Sequence, residues 1–255
     1  MSFAVSGETY DRFMGRYSQE LAPVFADFGG IAAGQRVLDV GCGSGVLTEE
    51  LAQRVGAGNV AGADPSPMLQ AAVERVPGAD LKQASAESLP WPDDSFDAAL
   101  AQLVVHFMSE PPKGVAEMAR VTRSGCVVAA CTWDFAGGGM QLLSTFWRTV
   151  RALDSSAPAE DSPFGDREQL GALWRECGLA DVETEPLEVS SRYEDFDQLW
   201  ESFRGGVGPA GQYLLSLPAK KQDAVRAEYR SRIGDPEGSF TLDARAWAVR
   251  GVVPG

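Results

Sequence analysis

The feature that most limits how this chain can fold is an apolar run that ends abruptly in three glycines at alternate positions. Residues 37–40 have the composition of a strand buried on both faces, and the glycine turn at 41–45 permits positive φ angles and a close approach of the backbone to a ligand. Residues 46–55 then carry leucine and valine at helical spacing. Strand, turn and helix together predict the first unit of a βαβ crossover, with a nucleotide-type pocket over the helix N-terminus.

The spacing of the glycines distinguishes two kinds of nucleotide pocket. The dinucleotide fingerprint needs its third glycine three residues after the second, whereas Gly45 comes two residues after Gly43. Together with the acid at Asp39, the stretch VLDVGCGSG resembles motif I of the class I S-adenosylmethionine-dependent methyltransferases. The resemblance implies an α/β fold with a Rossmann-like, seven-stranded, mostly parallel sheet of order 3-2-1-4-5-7-6, an antiparallel last strand and helices on both faces. It also implies that Asp39, Gly41, Cys42 and Gly43 bind S-adenosylmethionine, which leaves as S-adenosylhomocysteine.

The amino-acid composition argues against several classes of binding partner and site. The formal net charge of −14 opposes close contact with polyphosphate, so we expect no nucleic-acid substrate. No run of about 18 apolar residues is present, and residues 1–16 lack an apolar segment flanked by basic residues, so we expect a cytoplasmic protein without a membrane span. Four cysteines without a CxxC pair and a single histidine argue against a disulfide framework and against a metal site.

A second strand is expected at residues 59–63, and it ends at Asp64. A carboxylate at the tip of this strand, about 20 residues beyond the glycine turn, can accept hydrogen bonds from both hydroxyls of a ribose. Pro65 and Met68 follow it and are included in the expected cofactor site. The alternative is that Asp64 caps the next helix, whose expected buried stripe includes Val73.

A third strand around residues 81–84 leads into Ser85, Ala86 and Glu87. This stretch resembles the family segment that binds adenine. In the family, the position of Ser85 is usually an aspartate that contacts the adenine amino group, so this chain departs from the pattern and keeps a weaker acceptor. Ala86 can offer its backbone N–H to the ring, and Glu87 is either a ligand or a solvated loop acid.

The fourth strand, residues 98–105, is apolar except for Gln102, and a polar side chain in a buried strand needs a partner. In the family, the matching position lies beside the methionine part of the cofactor, so Gln102 and its neighbour Leu103 join the expected cofactor site. His106 follows, at the rim where open α/β sheets bind ligands. It is the candidate base for an acceptor that must lose a proton, and the alternative is a packed or solvated loop histidine.

The N-terminal segment precedes a helix whose expected start is Ser18. Residues 10–30 resemble the N-terminal lid of small-molecule methyltransferases, so Tyr10 and Arg16 are expected to close over the methionine half of the cofactor. The alternative is that the aromatic residues of this segment pack the helix onto the sheet.

We expect residues 1–255 to form one methyltransferase domain with its Rossmann-like core at 31–189 and 238–255. Roughly 45 residues of helical pattern interrupt the hairpin of the last two strands, which is longer than an ordinary hairpin loop. We interpret this segment, residues 190–237, as a substrate cap. Its aromatic stripe, which includes Trp200 and Phe203, forms either part of the core or a surface for the substrate.

The expected reaction is methyl transfer from S-adenosylmethionine to an oxygen, nitrogen or carbon of a small molecule. Transfer from a sulfonium is an in-line displacement that depends chiefly on proximity and alignment and needs no metal. The chain is most similar to the group containing the ubiquinone and menaquinone biosynthesis methyltransferases, but its individual cap leaves the substrate open. Two alternatives remain: an NAD(P)-dependent oxidoreductase, and a noncatalytic S-adenosylmethionine-binding regulatory protein, which the departure at Ser85 suggests. We expect a monomer or a homodimer.

Overall fold

Seven strands form one sheet in the computed structural model, which describes residues 11–158 and 163–255. In chain order they are β1 (Val37–Val40), β2 (Val60–Ala63), β3 (Asp80–Lys82), β4 (Phe96–Gln102), β5 (Thr122–Trp133), β6 (Ala180–Tyr193) and β7 (Phe240–Val252). Their order across the sheet is β3-β2-β1-β4-β5-β7-β6. Strands β1 to β5 pair in parallel, whereas β7 is antiparallel to both β5 and β6. This topology confirms the predicted Rossmann-like sheet.

Nine α-helices accompany the strands within the described ranges. They are α1 (Arg16–Phe28), α2 (Val46–Val55), α3 (Leu69–Arg75), α4 (Pro111–Val121), α5 (Gln141–Leu153), α6 (Arg167–Glu176), α7 (Phe196–Arg204), α8 (Gly208–Ser216) and α9 (Ala219–Arg232). A π-helical turn at Asp11–Gly15 precedes α1, and a short 3₁₀ turn at Val105–Phe107 follows β4.

Each face of the sheet carries its own hydrophobic cluster, which explains why β1 is apolar on both sides. Val37 belongs to the cluster that contains Leu51 of α2. Leu38 belongs to the opposite cluster, with Met118 of α4. All four residues of β1 are buried, as expected for a parallel strand with helices on both faces. Asp39 is therefore a buried acid at the centre of the sheet.

The parallel strands end at a single edge, and the chain leaves them in opposite directions there. From β1 the chain crosses to β2 on one side, while β4 lies on the other side of β1. A crevice opens at such a switch point, beyond the carboxyl ends of the strands. Gly41, Asp64 and Leu103 each follow directly on β1, β2 and β4, so they meet at this edge.

The helices between β6 and β7 are packed into the core through their aromatic side chains. Phe203 of α7 is fully buried; its ring stacks on Phe146 of α5 at a centroid distance of 4.7 Å and meets Phe13 at 5.2 Å. Trp200 is also buried, with 6% of its surface exposed. The aromatic stripe is therefore part of the core rather than a surface for the substrate.

Several element boundaries differ from the sequence-based expectation. Helix α1 begins at Arg16, so Ser18 lies inside it, and its hydroxyl donates to the backbone oxygen of Met14, 3.2 Å away. Strand β3 is shorter than expected and begins one residue earlier. Val73 is 45% exposed and does not belong to the buried stripe of α3. Helix α8 begins at Gly208, although glycine is a poor helix former.

Candidate active site

The glycine turn after β1 is built from residues with positive φ angles. Gly41 has φ 72°, and a Cβ at this position would lie 2.4 Å from Cγ2 of Val104, so the close approach of the loop after β4 requires glycine. Gly43 has φ 52°, and a Cβ there would meet only the methyl group of Met68, at 3.8 Å. At Gly43, the open space lies on the side of a cleft. The turn thus packs tightly on one side and leaves room on the other.

Asp39 lies beneath this turn with only 1% of its surface exposed. Its Oδ2 accepts a hydrogen bond of 2.7 Å from the hydroxyl of Thr48 in α2. Burial raises the pKa of Asp39 to about 7, although the hydrogen bond from Thr48 acts in the opposite direction, and the nearby charge of Asp64 adds to the increase. A cation bound in the cleft would stabilise the ionised form of this carboxyl group.

Asp64 connects the glycine turn to the segment before α3. Its Oδ2 accepts from the backbone N–H of Gly43 at 2.9 Å, and its Oδ1 accepts from the backbone N–H and the hydroxyl of Ser66 at 2.7 and 2.5 Å. The side chain therefore takes part both in the expected cleft and in the alternative turn-capping role. A carboxylate offers about four acceptor positions, so roughly one remains on Oδ2 for a ligand.

The loop after β3 and the loop after β4 are held together by Glu87. Its Oε1 accepts from the backbone N–H groups of Ser109 at 2.7 Å and Glu110 at 3.2 Å. Partial burial favours a higher pKa for Glu87, but the backbone donors outweigh this effect and hold the pKa below its usual value. Glu87 is thus ionised and joins the two loops at the wall of the cleft. This role is closer to the expected alternative of a loop acid than to that of a ligand.

Gln102 ends β4 with an unused acceptor. Its Nε2 donates to the backbone oxygen of Ser18 at 3.2 Å, whereas its buried Oε1 has no hydrogen-bond partner among the described residues. A buried acceptor without a donor costs about 1–3 kcal/mol. The next residue, Leu103, adopts φ 61°, which is unusual for a residue with a side chain. Both features lie at the carboxyl edge, where a ligand with an N–H group would satisfy the amide oxygen.

These groups surround a cleft of about 590 Å³. Of the residues predicted to bind the cofactor, those that line it are Asp39, Gly41, Cys42, Gly43, Asp64, Pro65, Met68, Ser85, Ala86, Glu87, Gln102 and Leu103. Tyr10 lies outside the described residues. The sequence reasoning missed Phe107, Met108 and Ser109, which also line the cleft. Their position directly after the fourth strand was the signal that could have identified them.

Cys42 contributes its backbone to the turn, and burial raises the pKa of its thiol above the usual range. The side chain therefore stays protonated and is no nucleophile.

Arg16 lies elsewhere, because its guanidinium packs 4.2 Å from the ring centre of Tyr193 in β6. The hydroxyl groups of Tyr193 and Tyr17 are 3.2 Å apart and share a hydrogen bond in the interior. Arg16 thus takes part in fixing α1 to the last hairpin, and it is not among the residues that line the cleft. This contact corresponds to the alternative in which the N-terminal segment packs onto the sheet.

His106 lies on the 3₁₀ turn after β4 but does not line the cleft. Its ring centre is 3.9 Å from that of Phe107 and 6.2 Å from that of Phe135. The Nδ1 atom is buried and has no hydrogen-bond partner among the described residues. Burial lowers the pKa of His106 to about 4, so the imidazole is neutral at pH 7.

Within residues 11–158 and 163–255, no three His, Cys, Asp or Glu side chains form a group suited to a metal ion. None of the helices in these ranges has the length and apolar character that crossing a bilayer demands.

Comparison with known proteins gives the cleft its chemical context. Residues 38–130, which contain β1, the glycine turn and β4, match the protein family described as "Methyltransferase domain". An uncharacterised protein of Mycobacterium tuberculosis is 30% identical over 230 residues, covering 88% of this chain and 77% of its own length. The demethylmenaquinone methyltransferase of Clavibacter sepedonicus is 29% identical over 203 residues, covering 73% of this chain and 79% of its own. The chain belongs to the class I S-adenosylmethionine-dependent methyltransferases.

Solved structures of other proteins have the same fold as this methyltransferase. The YcgJ protein of Bacillus subtilis superposes with a TM-score of 0.58 at 19% identity and covers 94% of this chain and 99% of its own. A phosphoethanolamine N-methyltransferase of Haemonchus contortus, solved with S-adenosylhomocysteine, has a TM-score of 0.56 at 20% identity, covering 97% of this chain and 57% of its own. The methyl donor of the methyltransferase is S-adenosylmethionine.

Proposed function

We propose that this methyltransferase transfers the methyl group of S-adenosylmethionine to an oxygen, nitrogen or carbon of a small-molecule acceptor. The observation that carries the proposal is the cleft of about 590 Å³, in which two carboxyl groups and an unpartnered amide oxygen converge beside the glycine turn. Such a set of acceptors suits a cofactor with ribose hydroxyls at one end and a cationic amino acid at the other.

Each part of the cofactor has a proposed holder in this chain. The remaining acceptor position of Asp64 receives a ribose hydroxyl, and Ser85 and Ala86 lie in the cleft wall expected for the adenine. Gln102 and Asp39 lie on the strands that end at the proposed methionine side, where the buried acid would balance the positive charge. When bound, S-adenosylmethionine supplies a methyl group on a sulfonium, and the residues of the chain position it for in-line attack.

The small-molecule class of the acceptor rests on charge. A formal net charge of −14 disfavours a nucleic-acid substrate. The named relatives and neighbours differ in acceptor: one is a demethylmenaquinone methyltransferase, one a malonyl-[acyl-carrier protein] O-methyltransferase and one a phosphoethanolamine N-methyltransferase. Their names therefore leave oxygen, nitrogen and carbon acceptors all within the proposal.

His106 remains our candidate base, with a specific condition. A general base works best when its pKa lies near the working pH, and burial lowers the pKa of His106 to about 4. The neutral ring can accept a proton only weakly, so the role requires an acceptor that reaches the buried Nδ1 or a change in burial on binding. Acceptors that attack through a neutral nitrogen or a thiolate need no such residue.

We also propose that residues 10–30 act as a lid, that residues 190–237 act as a substrate cap, and that the protein works as a cytoplasmic monomer or homodimer. The contact of Phe13 with Phe203 supports a joint lid and cap, because it joins the segment before α1 to α7. Since Phe203 is buried, the surface that meets the acceptor must come from other side chains.

The decisive experiment is titration calorimetry of the purified protein with S-adenosylmethionine, S-adenosylhomocysteine and NADH, followed by a methyl-transfer assay on a panel of small acceptors. We expect both adenosyl compounds to bind and NADH to give no heat. Preferential NADH binding would favour an oxidoreductase, and binding without turnover on any acceptor would favour a regulatory protein.

A further inference from the structure

A second cavity, of about 340 Å³, lies between the loop that follows β5 and helix α5. Residues 134–138 of the loop form one wall. The opposite wall contains Ser144, Trp147, Arg148 and Arg151. Residues 144 and 148, and residues 147 and 151, are each four positions apart, and the four side chains share one face of α5.

This cavity adjoins the cofactor cleft through a chain of aromatic rings. Phe107 lines the cleft, and its ring centre is 3.9 Å from that of His106. The ring of His106 in turn meets that of Phe135, which lines the second cavity, at 6.2 Å. The imidazole therefore lies between the two spaces. Both are at the edge where β4 and β5 end, which is where ligands bind in this type of sheet.

The two arginines of the cavity have spare hydrogen-bond donors. Arg148 donates through Nη2 to the hydroxyl of Thr145 at 3.1 Å, and Arg151 donates through Nε to the backbone oxygen of Trp147 at 3.3 Å. A guanidinium has five N–H donors, so most of those on each side chain remain. No carboxylate in the described part of the chain forms an ion pair with either arginine. The nearby acid Asp154 is paired with Lys221 at 3.2 Å.

The carboxylate of Asp134, in the cavity wall, already has a positively charged partner. The side chain of Asp134 is 2% exposed, and its carboxylate accepts from Nε of Arg245 at 2.8 Å. It also accepts from the backbone N–H of Gly137 at 2.7 Å. Its charge is thus compensated by a guanidinium and a backbone donor, so among the described residues that line the cavity the uncompensated charges are those of Arg148 and Arg151.

We propose that this cavity binds an anionic group of the methyl acceptor, a carboxylate or a phosphate, through Arg148 and Arg151. The inference rests on the proposed function, since the anion belongs to the acceptor of that reaction. Guanidinium groups match the geometry of carboxylates and phosphates, and two of them on one helix face can bind a single anion. Phe135 lies between the anion site and His106, so it contacts the apolar part of the acceptor. The acceptor is therefore a negatively charged small molecule.

The test uses benzoate and phenyl phosphate as anionic probes and benzamide as a neutral probe, titrated calorimetrically into protein saturated with S-adenosylhomocysteine. The variant carries Arg148→Gln and Arg151→Gln together. The control carries Arg204→Gln and Arg232→Gln, exposed positions on α7 and α9 that lower the charge equally. We expect at least one anion to bind ten times more tightly than benzamide, and the tighter of the two identifies the group.

We further expect the Arg148 and Arg151 variant to lose this binding about tenfold or more, while the control retains it. Equal affinity for benzamide and both anions, no binding of either anion, or equal losses in the two variants would overturn the proposal. S-adenosylhomocysteine is titrated separately into each protein. Its binding tests the cofactor assignment alone, so failure of the proposed function can be distinguished from failure of the anion site.

Discussion

Replacing Asp64 by alanine should weaken cofactor binding through one specific atom. In the structure, Oδ1 of Asp64 already accepts two hydrogen bonds from Ser66, and Oδ2 accepts one from the backbone of Gly43. The remaining position on Oδ2 can therefore take one ribose hydroxyl. A hydrogen bond to a charged group contributes about 2 kcal/mol, which corresponds to roughly a 30-fold change in Kd.

A second variant separates ligand binding from loop anchoring. Ser66→Ala removes one donor from Oδ1 and leaves the carboxylate free to accept the second ribose hydroxyl. We therefore expect Ser66→Ala to bind S-adenosylhomocysteine as tightly as the parent protein or several times more tightly, while Asp64→Ala binds about 30 times more weakly. Asp223→Ala, an exposed position on α9, controls for the loss of one negative charge.

The assay is titration calorimetry with S-adenosylhomocysteine, performed below the unfolding temperature of each variant. Asp64→Ala should also melt earlier, because the N–H groups of Gly43 and Ser66 lose their acceptor. A folded Asp64→Ala protein with unchanged affinity would remove the carboxylate from the site. If Ser66→Ala weakened binding as much as Asp64→Ala, the carboxylate would act by shaping the loop and not by contacting the ribose.

Four further predictions concern buried polar groups. Gln102→Leu should weaken S-adenosylhomocysteine binding about tenfold. It removes the unpartnered oxygen but also the hydrogen bond from Nε2 to Ser18, so the melting temperature of the free protein should change little; thermal unfolding with and without the ligand measures both. Since the pKa of Asp39 is raised to about 7, the ionised fraction of its carboxyl group increases about tenfold from pH 6 to pH 8. The affinity for S-adenosylhomocysteine should rise over the same range. Calorimetry should show no such rise in Asp39→Asn. The pKa of His106 is lowered to about 4 in the folded state, so the unfolded chain binds the proton first as the pH drops. The free energy of unfolding should therefore fall between about pH 6.5 and pH 4. His106→Phe should flatten this part of the urea-unfolding profile, and an unchanged profile would show that the ring is solvated. For His106→Ala, a drop in turnover of about a hundredfold would support a base, and near-normal turnover would reduce the residue to packing.

Local patterns were sufficient to predict that strand ends and polar side chains meet at one edge of the sheet. The apolar residues of β1, the glycines after it and the acid at the tip of β2 each lie within a few positions of a strand end, and parallel topology brings strand ends together. The positions of Asp64 and Gln102 at the cleft are therefore predictable, because a polar side chain at the end of a buried strand finds polar partners mainly in the crevice. The order of the sheet followed from the family resemblance and not from the residues alone.

Residues on helices and long loops were harder to place. Arg16 was expected at the cofactor, but its packing on Tyr193 depends on a strand 177 positions further along the chain, and no local pattern reports such a contact. His106 follows β4 closely, yet it lies on a 3₁₀ turn with its ring packed against those of Phe107 and Phe135, and it is not among the residues that line the cleft. The cavity beside α5 also went unpredicted, because Arg148 and Arg151 resemble the solvated face of an ordinary amphipathic helix.

The cofactor cleft and the cavity beside α5 both lie at the carboxyl edge of the sheet, but the uncompensated charges among the described residues that line them have opposite signs. The cofactor cleft contains Asp39 and Asp64, which attract the cationic end of S-adenosylmethionine and repel an anionic acceptor. The cavity beside α5 contains Arg148 and Arg151, which have the opposite preference. Under our proposal, an acceptor that carries an anionic group would be held in the cavity beside α5, with its uncharged part directed toward the cleft. Such a separation would let each ligand enter its own space without competing for the other, and it aligns the acceptor with the methyl group by electrostatics as well as by shape.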